Sequence, residues 1–186
     1  MTNAETIHLR DETQLNVASL LKEDVGARRD LQIELASFPL DEDLIARNAT
    51  GTIRLTRITT GILAQGQVSG DVELECARCL REYDQPFRTD FAEEFHQTVD
   101  VRNGAGVTPQ RGQPVATDED DEIAFEINDA HELDMTELLR QWILLELPMR
   151  PDCGAECPGP PAMATDPEAE VDSRFAALEQ LLGEDE

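Results

Sequence analysis

The chain has 186 residues, 40% of them apolar, which suits one hydrophobic core with tails. Forty acidic residues against 15 basic ones give a formal net charge of −25, so the chain as a whole repels a phosphate backbone and attracts basic partners. It has no apolar run of about 18 residues, the length that spans a membrane, and its first residues do not resemble a signal peptide, so we expect a cytoplasmic protein without membrane contact.

The charge is unevenly distributed. Residues 44–88 hold six arginines and five acidic residues, whereas the rest of the chain holds 9 basic and 35 acidic residues. Charge-driven RNA binding by the whole molecule is therefore disfavoured. The near-neutral stretch is the place where we predict a contact with RNA or protein.

The first half of the chain predicts one short helix followed by strands. Residues 16–25 have the apolar spacing of a helix that ends at Gly26, and Leu31–Leu35 alternate as a strand. A looser segment, 38–49, precedes the alternating strand Thr52–Thr56. One or two further strands are predicted over residues 62–76, and a strand with Phe87, Thr89, Phe91 and Phe95 on one face follows them.

The second half predicts a loop, a strand and two helices. Residues 100–122 lack periodicity and end in an acidic run from Asp118, which predicts a disordered insertion. It would solubilise the protein, or else mimic nucleic acid or capture basic protein tails. A strand at 123–127 precedes a helix from Asp134 to Leu147, whose predicted buried stripe is Met135, Leu138, Leu139, Trp142 and Leu145. A Pro-rich acidic tether then leads to a predicted amphipathic helix at 173–182.

These elements predict an α+β fold. We expect an antiparallel β meander of about five or six strands, possibly barrel-like, packed by the helix in the C-terminal half. Residues 1–150 would form a single domain that contains the acidic insertion, and residues 151–186 would form the cysteine- and proline-containing tether with its short helix.

The most informative motif is the C-x-x-C of Cys76 and Cys79, at the turn of a predicted β-hairpin. The run V-S-G-D-V-E-L-E-C-A-R-C-L, with G-I-L-A-Q-G before it and L-L-x-x-x-I-L-L-E-L-P and Cys153 after it, resembles the bacterial and plastid YceD-like family, the large ribosomal RNA subunit accumulation proteins. The resemblance covers residues 51–157 and returns in D-S-R-F-A-A-L-E-Q-L-L-G. It implies a non-enzymatic factor in large-subunit ribosomal RNA accumulation and ribosome biogenesis. Its partners would be that RNA or basic ribosomal proteins.

Many members of that family resemble one another in having a longer second cysteine cluster, of which only Cys153 and Cys157 occur here. A four-cysteine zinc knuckle within the C-terminal segment alone is therefore excluded. Cys76, Cys79, Cys153 and Cys157 could together bind one zinc ion per chain, but they could equally be metal-free thiols, and redox chemistry is a third possibility.

Five arginines in and near the hairpin are candidates for RNA or protein binding: Arg54, Arg57, Arg78, Arg81 and Arg88. The alternative is that they are ordinary strand charges paired with neighbouring glutamates. The sequence contains no catalytic motif or small-molecule site, and its three histidines lack metal-binding spacing. A zinc-dependent RNA-binding module and a thiol oxidoreductase are the alternative functions.

Overall fold

The structure, a computed structural model, describes residues 6–107 and 125–160. Most of these residues belong to one curled sheet with the shape of a half-barrel. The elements in chain order are β1 (Ile7–Arg10), β2 (Gln14–Asn16), α1 (Ala18–Lys22), β3 (Arg28–Pro39), β4 (Ile45–Arg57), β5 (Gly61–Glu75), β6 (Glu82–Gln97), β7 (Phe125–Ile127), β8 (Glu132–Asp134) and α2 (Thr136–Glu146). Neither helix is long and apolar enough to cross a bilayer.

The eight strands lie in the order β1-β3-β4-β5-β6-β7-β8-β2. Neighbours are antiparallel except for two parallel pairs, β1 with β3 and β6 with β7. Both edge strands come from the same N-terminal segment, in which only residues 11–13 separate β1 from β2. That segment turns at Asp11, whose φ is 51°, and it therefore connects the two edges of the curled sheet.

Strand length explains why the sheet is only half a barrel. Strands β3 to β6 have 12 to 16 residues, whereas the other four have 3 or 4. The short strands therefore cover only one end of the long ones. At the other end helix α2 packs against the inner face and buries Leu138, Leu139 and Ile143. The Arg140 Nε also donates to the Leu40 carbonyl oxygen at 2.6 Å, which connects α2 to the β3–β4 turn.

The inner face has the predicted alternation. Phe87, Phe91 and Phe95 are buried together, as their shared parity predicted, and Leu31, Ile33 and Leu35 of β3 belong to the same buried core. Gly26 has the predicted left-handed conformation, with a φ of 96°, but it does not end the first helix, which already stops at Lys22. The prediction that the fold combines a sheet with a helix in the C-terminal half is thus confirmed in its main features.

Several predicted boundaries were wrong. The first helix has only five residues, because residues 14–16 pair with β8 as a strand. The segment at 38–49 is not loose: β3 continues to Pro39 and β4 starts at Ile45, and a bulge near Asn48 breaks the alternation. The prediction of five or six strands missed β1, β2 and β8, whose three or four residues are too short to show a period.

Two predictions for the second half also need correction. Leu145 is 78% exposed, and Ile143, which the predicted stripe omitted, is buried instead. Residues 100–107 are not structureless: the Asp100 carboxylate accepts from the Arg102 N–H at 2.7 Å, and Val107 N donates to Thr98 O at 2.7 Å. The rest of the predicted insertion, residue Ile123 and the predicted helix at 173–182 lie outside the described residues.

Gly61 begins β5 where the strand comes very close to β6. A Cβ atom at this position would lie 1.9 Å from the Phe95 carbonyl oxygen, which is a backbone atom that side-chain rotation cannot move. Gly106, in contrast, has no atom within 4 Å of its would-be Cβ. Of these two glycines, only Gly61 is therefore required by packing.

We expect Gly61→Ala to lower the free energy of unfolding by about 1–3 kcal/mol, because the added methyl group would force the two strands apart. Gly106→Ala, the matched control, should change it by less than about 0.5 kcal/mol. Urea denaturation followed by circular dichroism measures both values. Equal stability of the two variants would contradict the close approach of β5 and β6.

Candidate metal centre

The turn between β5 and β6 holds the first two cysteines. Cys76 N donates to the Arg81 carbonyl oxygen and Leu80 N donates to the Cys76 carbonyl oxygen, each at 2.9 Å. These two bonds close a tight hairpin turn around Cys79. The predicted position of the C-x-x-C at a hairpin turn is therefore confirmed.

The second pair of cysteines reaches this turn through the path of the chain after α2. Pro148 follows the helix, and the Pro151 carbonyl oxygen then accepts from the Ala77 N–H at 2.9 Å. Beyond it, the Asp152 carboxylate accepts from the Gly154 N–H at 2.8 Å, and Gly154 has a φ of 95°. A short loop that bends at this glycine brings both Cys153 and Cys157 to the hairpin turn.

The four sulfur atoms form one compact cluster. The Sγ atoms of Cys76 and Cys157 are 3.9 Å apart, those of Cys79 and Cys153 are 3.6 Å apart, and all four lie within 4.8 Å of one another. A disulfide would need about 2.05 Å. Zinc with four thiolate ligands at about 2.3 Å gives sulfur–sulfur distances of about 3.8 Å. The donor set and spacing therefore fit one tetrahedral zinc ion.

Backbone N–H groups stabilise the thiolate form of two of these cysteines. The pKa of Cys76 is lowered to about 6, first by the backbone N–H of Cys153 and then by those of Arg78 and Cys79. The pKa of Cys157 is also lowered, mainly by the backbone N–H of Gly159. Two of the four sulfurs are thus prepared to bind a cation as thiolates.

The other two cysteines keep their protons when no metal is bound. Burial, followed by the hydrogen bonds with the neighbouring thiols, raises the pKa of Cys153 to about 12. The pKa of Cys79 is raised as well: the Arg81 N–H favours its thiolate, but burial and the hydrogen bonds with Cys76 and Cys157 outweigh this. Metal binding would release these protons, because zinc binds thiolates and not thiols.

Arg78 connects the hairpin turn to the second pair of cysteines. The Cys157 sulfur, followed by the charge of Asp152, raises the pKa of the arginine. The Arg78 Nε lies 3.3 Å from the Asp152 carboxylate. The guanidinium thus offsets part of the negative charge that four thiolates would gather around a divalent ion.

The five candidate arginines do not form one surface. Arg54 and Arg88 lie on the outer face of the sheet, where Arg54 pairs with Asp30 at 2.7 Å and Arg88 donates to Gln67 at 2.5 Å. Arg57 lies at the β4–β5 turn, half-buried, and donates to the Gly61 carbonyl oxygen at 2.8 Å. Only Arg78 and Arg81 lie at the cysteine turn. A role of these arginines in binding RNA or protein stays a prediction.

Sequence reasoning missed two features of this centre. It assigned Arg78 to a docking surface and did not foresee that this arginine pairs with Asp152 next to the second pair of cysteines. It also overlooked Leu80, which has a φ of 60°. The sequence offered no signal for this position, because leucine is not a residue type that favours a positive φ.

A half-barrel with a four-cysteine centre at one hairpin defines a β-rich protein with a candidate zinc site. The sequence profile of the family described as "Large ribosomal RNA subunit accumulation protein YceD" matches residues 64–182. The match covers more than half of the chain and includes all four cysteines. The chain belongs to this family, which confirms the resemblance noted from its sequence.

Among curated proteins, "Uncharacterized protein YlbN" of Bacillus subtilis (strain 168) is 30% identical over 131 residues, which cover 64% of this chain and 65% of that protein. The matched part of the chain thus spans slightly less than two thirds of the relative's length. No solved structure matches the chain.

The geometry predicts about one zinc ion per chain in protein purified without chelator. Cys76→Ser and Cys153→Ser should each abolish zinc binding, because each removes one of four ligands from a different segment. They should also increase proteolysis within residues 151–160, since the clamp on that loop is lost. Ala155→Ser, which changes an exposed residue between the second pair of cysteines, is the matched control and should bind zinc normally.

Elemental analysis and limited proteolysis measure these effects. Protein with much less than one zinc ion per chain, together with cysteine variants as stable as the parent, would show that the cluster is not a metal site.

The contact of Arg78 with the centre predicts weaker zinc binding in Arg78→Ala. We expect the zinc affinity to fall by about 10-fold or more, in the range found when a group that hydrogen-bonds a metal ligand is removed. Arg81→Ala is the control, because Arg81 contacts the centre through its backbone N–H, which this substitution retains. Competition with a chromogenic zinc chelator measures both, and equal affinities would exclude a supporting role of the Arg78 side chain.

Proposed function

We propose that the protein is a non-enzymatic factor that promotes the accumulation of large-subunit ribosomal RNA and acts by binding that RNA or basic ribosomal proteins. The observation that carries this proposal is the family match over residues 64–182, which includes both cysteine pairs and helix α2. The family description itself refers to large ribosomal RNA subunit accumulation. We expect the protein to act in the cytoplasm, where ribosomes are assembled.

The cysteine centre would have a structural role in this function. A zinc ion held by Cys76, Cys79, Cys153 and Cys157 would join two segments separated by 73 intervening residues. Closing so long a loop through a metal stabilises the folded state, because the unfolded chain cannot keep the four ligands together. The tip of the β5–β6 hairpin would thus become a rigid surface on an otherwise acidic molecule.

The charge of −25 supports contacts with basic ribosomal proteins. The outer face of the sheet would suit a basic protein better than RNA, because two of its arginines already have acidic partners within the chain. Arg47 pairs with Glu73, and Arg54 pairs with Asp30. Arginines that are already paired add little attraction for an RNA backbone.

A zinc-dependent RNA-binding module is the second candidate. It is favoured by the position of Arg78 and Arg81, whose exposed side chains lie at the cysteine turn. A thiol oxidoreductase has less support. Such an enzyme needs an accessible thiolate, but Cys76, the cysteine with the most strongly lowered pKa, is fully buried.

Deleting the gene should lower the ratio of large-subunit to small-subunit ribosomal RNA. A plasmid copy of the parent or of Ala155→Ser should restore the ratio, whereas Cys76→Ser should not, since it removes a ligand of the proposed clamp. Quantification of both RNAs during growth and under stress is the measurement. An unchanged ratio in both conditions would exclude the proposed function, and restoration by Cys76→Ser would exclude only the role of the centre.

A further inference from the structure

Strand β2 is an open edge of the sheet. It pairs on one side with β8, in an antiparallel register that aligns Leu15 with Leu133. The part of the chain that the structure describes places no strand on the other side of β2. An extended segment that binds at this side could therefore continue the sheet.

The hydrogen bonds next to this pairing show which backbone groups face the open side. Val17 N donates to His131 O at 2.8 Å, and in an antiparallel pair such residues alternate with residues whose backbone points away from the partner strand. Leu15 thus faces β8, whereas Gln14 and Asn16 direct their N–H and C=O groups outward. None of these four groups has a protein partner within residues 6–107 and 125–160.

The side chains of Gln14 and Asn16 are used within the fold. Gln14 Nε2 donates to the Asp134 carboxylate at 2.8 Å, and Asn16 Nδ2 donates to Ala130 O at 3.1 Å. The Asn16 Oδ1 accepts from Ala18 N at 3.1 Å. The open side of β2 therefore offers a ligand its backbone rather than these side chains.

The surface beside this edge is acidic. A groove of about 490 Å³ is lined by residues 11–16 and Glu132, so its ionisable side chains are Asp11, Glu12 and Glu132. None of the three forms a salt bridge with a described residue, and Asp11 and Glu132 accept hydrogen bonds only from neutral donors. The adjacent cation, Arg10, is paired with Glu34 at 3.3 Å.

This charge selects among the molecules that could bind an open edge. RNA would bring phosphates to three carboxylates, and a second copy of the chain would bring its own net charge of −25. An extended protein segment with lysine or arginine side chains has the complementary charge, and its backbone can pair with the strand. The edge therefore fits a basic protein segment.

We propose that β2 binds an extended lysine- or arginine-containing segment of a ribosomal protein as an additional strand of the sheet. The backbone groups of Gln14 and Asn16 form its hydrogen bonds, and the carboxylates of Asp11, Glu12 and Glu132 attract its basic side chains. This inference rests on the proposed function and names protein rather than RNA as the partner at this edge.

The probe is a synthetic peptide of about eight residues, a strand length, that alternates lysine and valine. One control peptide has methyl groups on its backbone nitrogens, which keep every charge but remove the strand hydrogen bonds. A second control peptide has glutamate in place of lysine. We expect fluorescence anisotropy to show that the full chain binds the first peptide at least about 5-fold more tightly than either control.

Two substitutions at Gln14 separate the backbone from the side chain. Gln14→Pro removes the outward N–H at an edge position, where proline is tolerated, and should weaken binding of the lysine peptide about 5-fold or more. Gln14→Thr is the matched control, because it loses the same side-chain bond to Asp134 but keeps the N–H, and it should bind the peptide more tightly than Gln14→Pro. Equal affinities of the two variants would overturn the inference.

A second pair of variants decides the matter if Gln14→Pro does not fold. Glu12→Lys reverses a charge in the groove, and Glu42→Lys makes the same change at an exposed residue that does not line it. Glu12→Lys should bind the lysine peptide at least about 5-fold more weakly than Glu42→Lys, and equal affinities would contradict the proposed site.

Two further results would overturn the inference. One is a failure of the parent protein to bind the lysine peptide, or of proteins extracted from purified large ribosomal subunits to compete with that peptide. The other is a dimer of the parent in sedimentation experiments that Glu12→Lys dissociates, because a second copy would then occupy the edge. The deletion phenotype tests the proposed function separately, since that function survives if RNA is the partner.

Discussion

The unequal length of the strands is the constraint on which the rest of the structure depends. Four long strands extend beyond the four short ones, and their exposed inner face must be covered there. Helix α2 covers it, and its direction takes the following residues to the β5–β6 turn, where Pro151 O accepts from Ala77 N. The cysteine centre is thus a consequence of how the core is completed.

The centre combines opposite electrostatic demands. Backbone N–H groups lower the pKa values of Cys76 and Cys157, while burial raises that of Cys153. A set of four thiols with unequal pKa values retains protons on some sulfurs and so avoids gathering four negative charges when no metal is bound. A zinc ion would reverse the balance, because its charge would stabilise all four thiolates, and Arg78 contributes a further positive charge next to Cys157.

The sequence predicted features that depend on local periodicity and missed those that depend on tertiary packing. The alternation before and after Cys76 predicted a hairpin with the C-x-x-C at its turn, and the spacing of Phe87, Phe91 and Phe95 predicted a buried face. Nothing in the spacing shows that the second pair of cysteines meets this turn, since that requires the path of α2. The prediction failed at Leu145 for a similar reason, because apolar spacing alone did not show that the sheet covers Ile143 and leaves Leu145 exposed.

The conformation of Leu80 connects the hairpin turn with the cysteine centre. Leu80 has a φ of 60°, and its N–H donates to the Cys76 carbonyl oxygen, so the left-handed residue helps to close the turn that holds the first two cysteines. A clamp of four thiolates would hold this turn in place whichever residue has the left-handed conformation, so the strain of Leu80 would be tolerated there better than in a free loop.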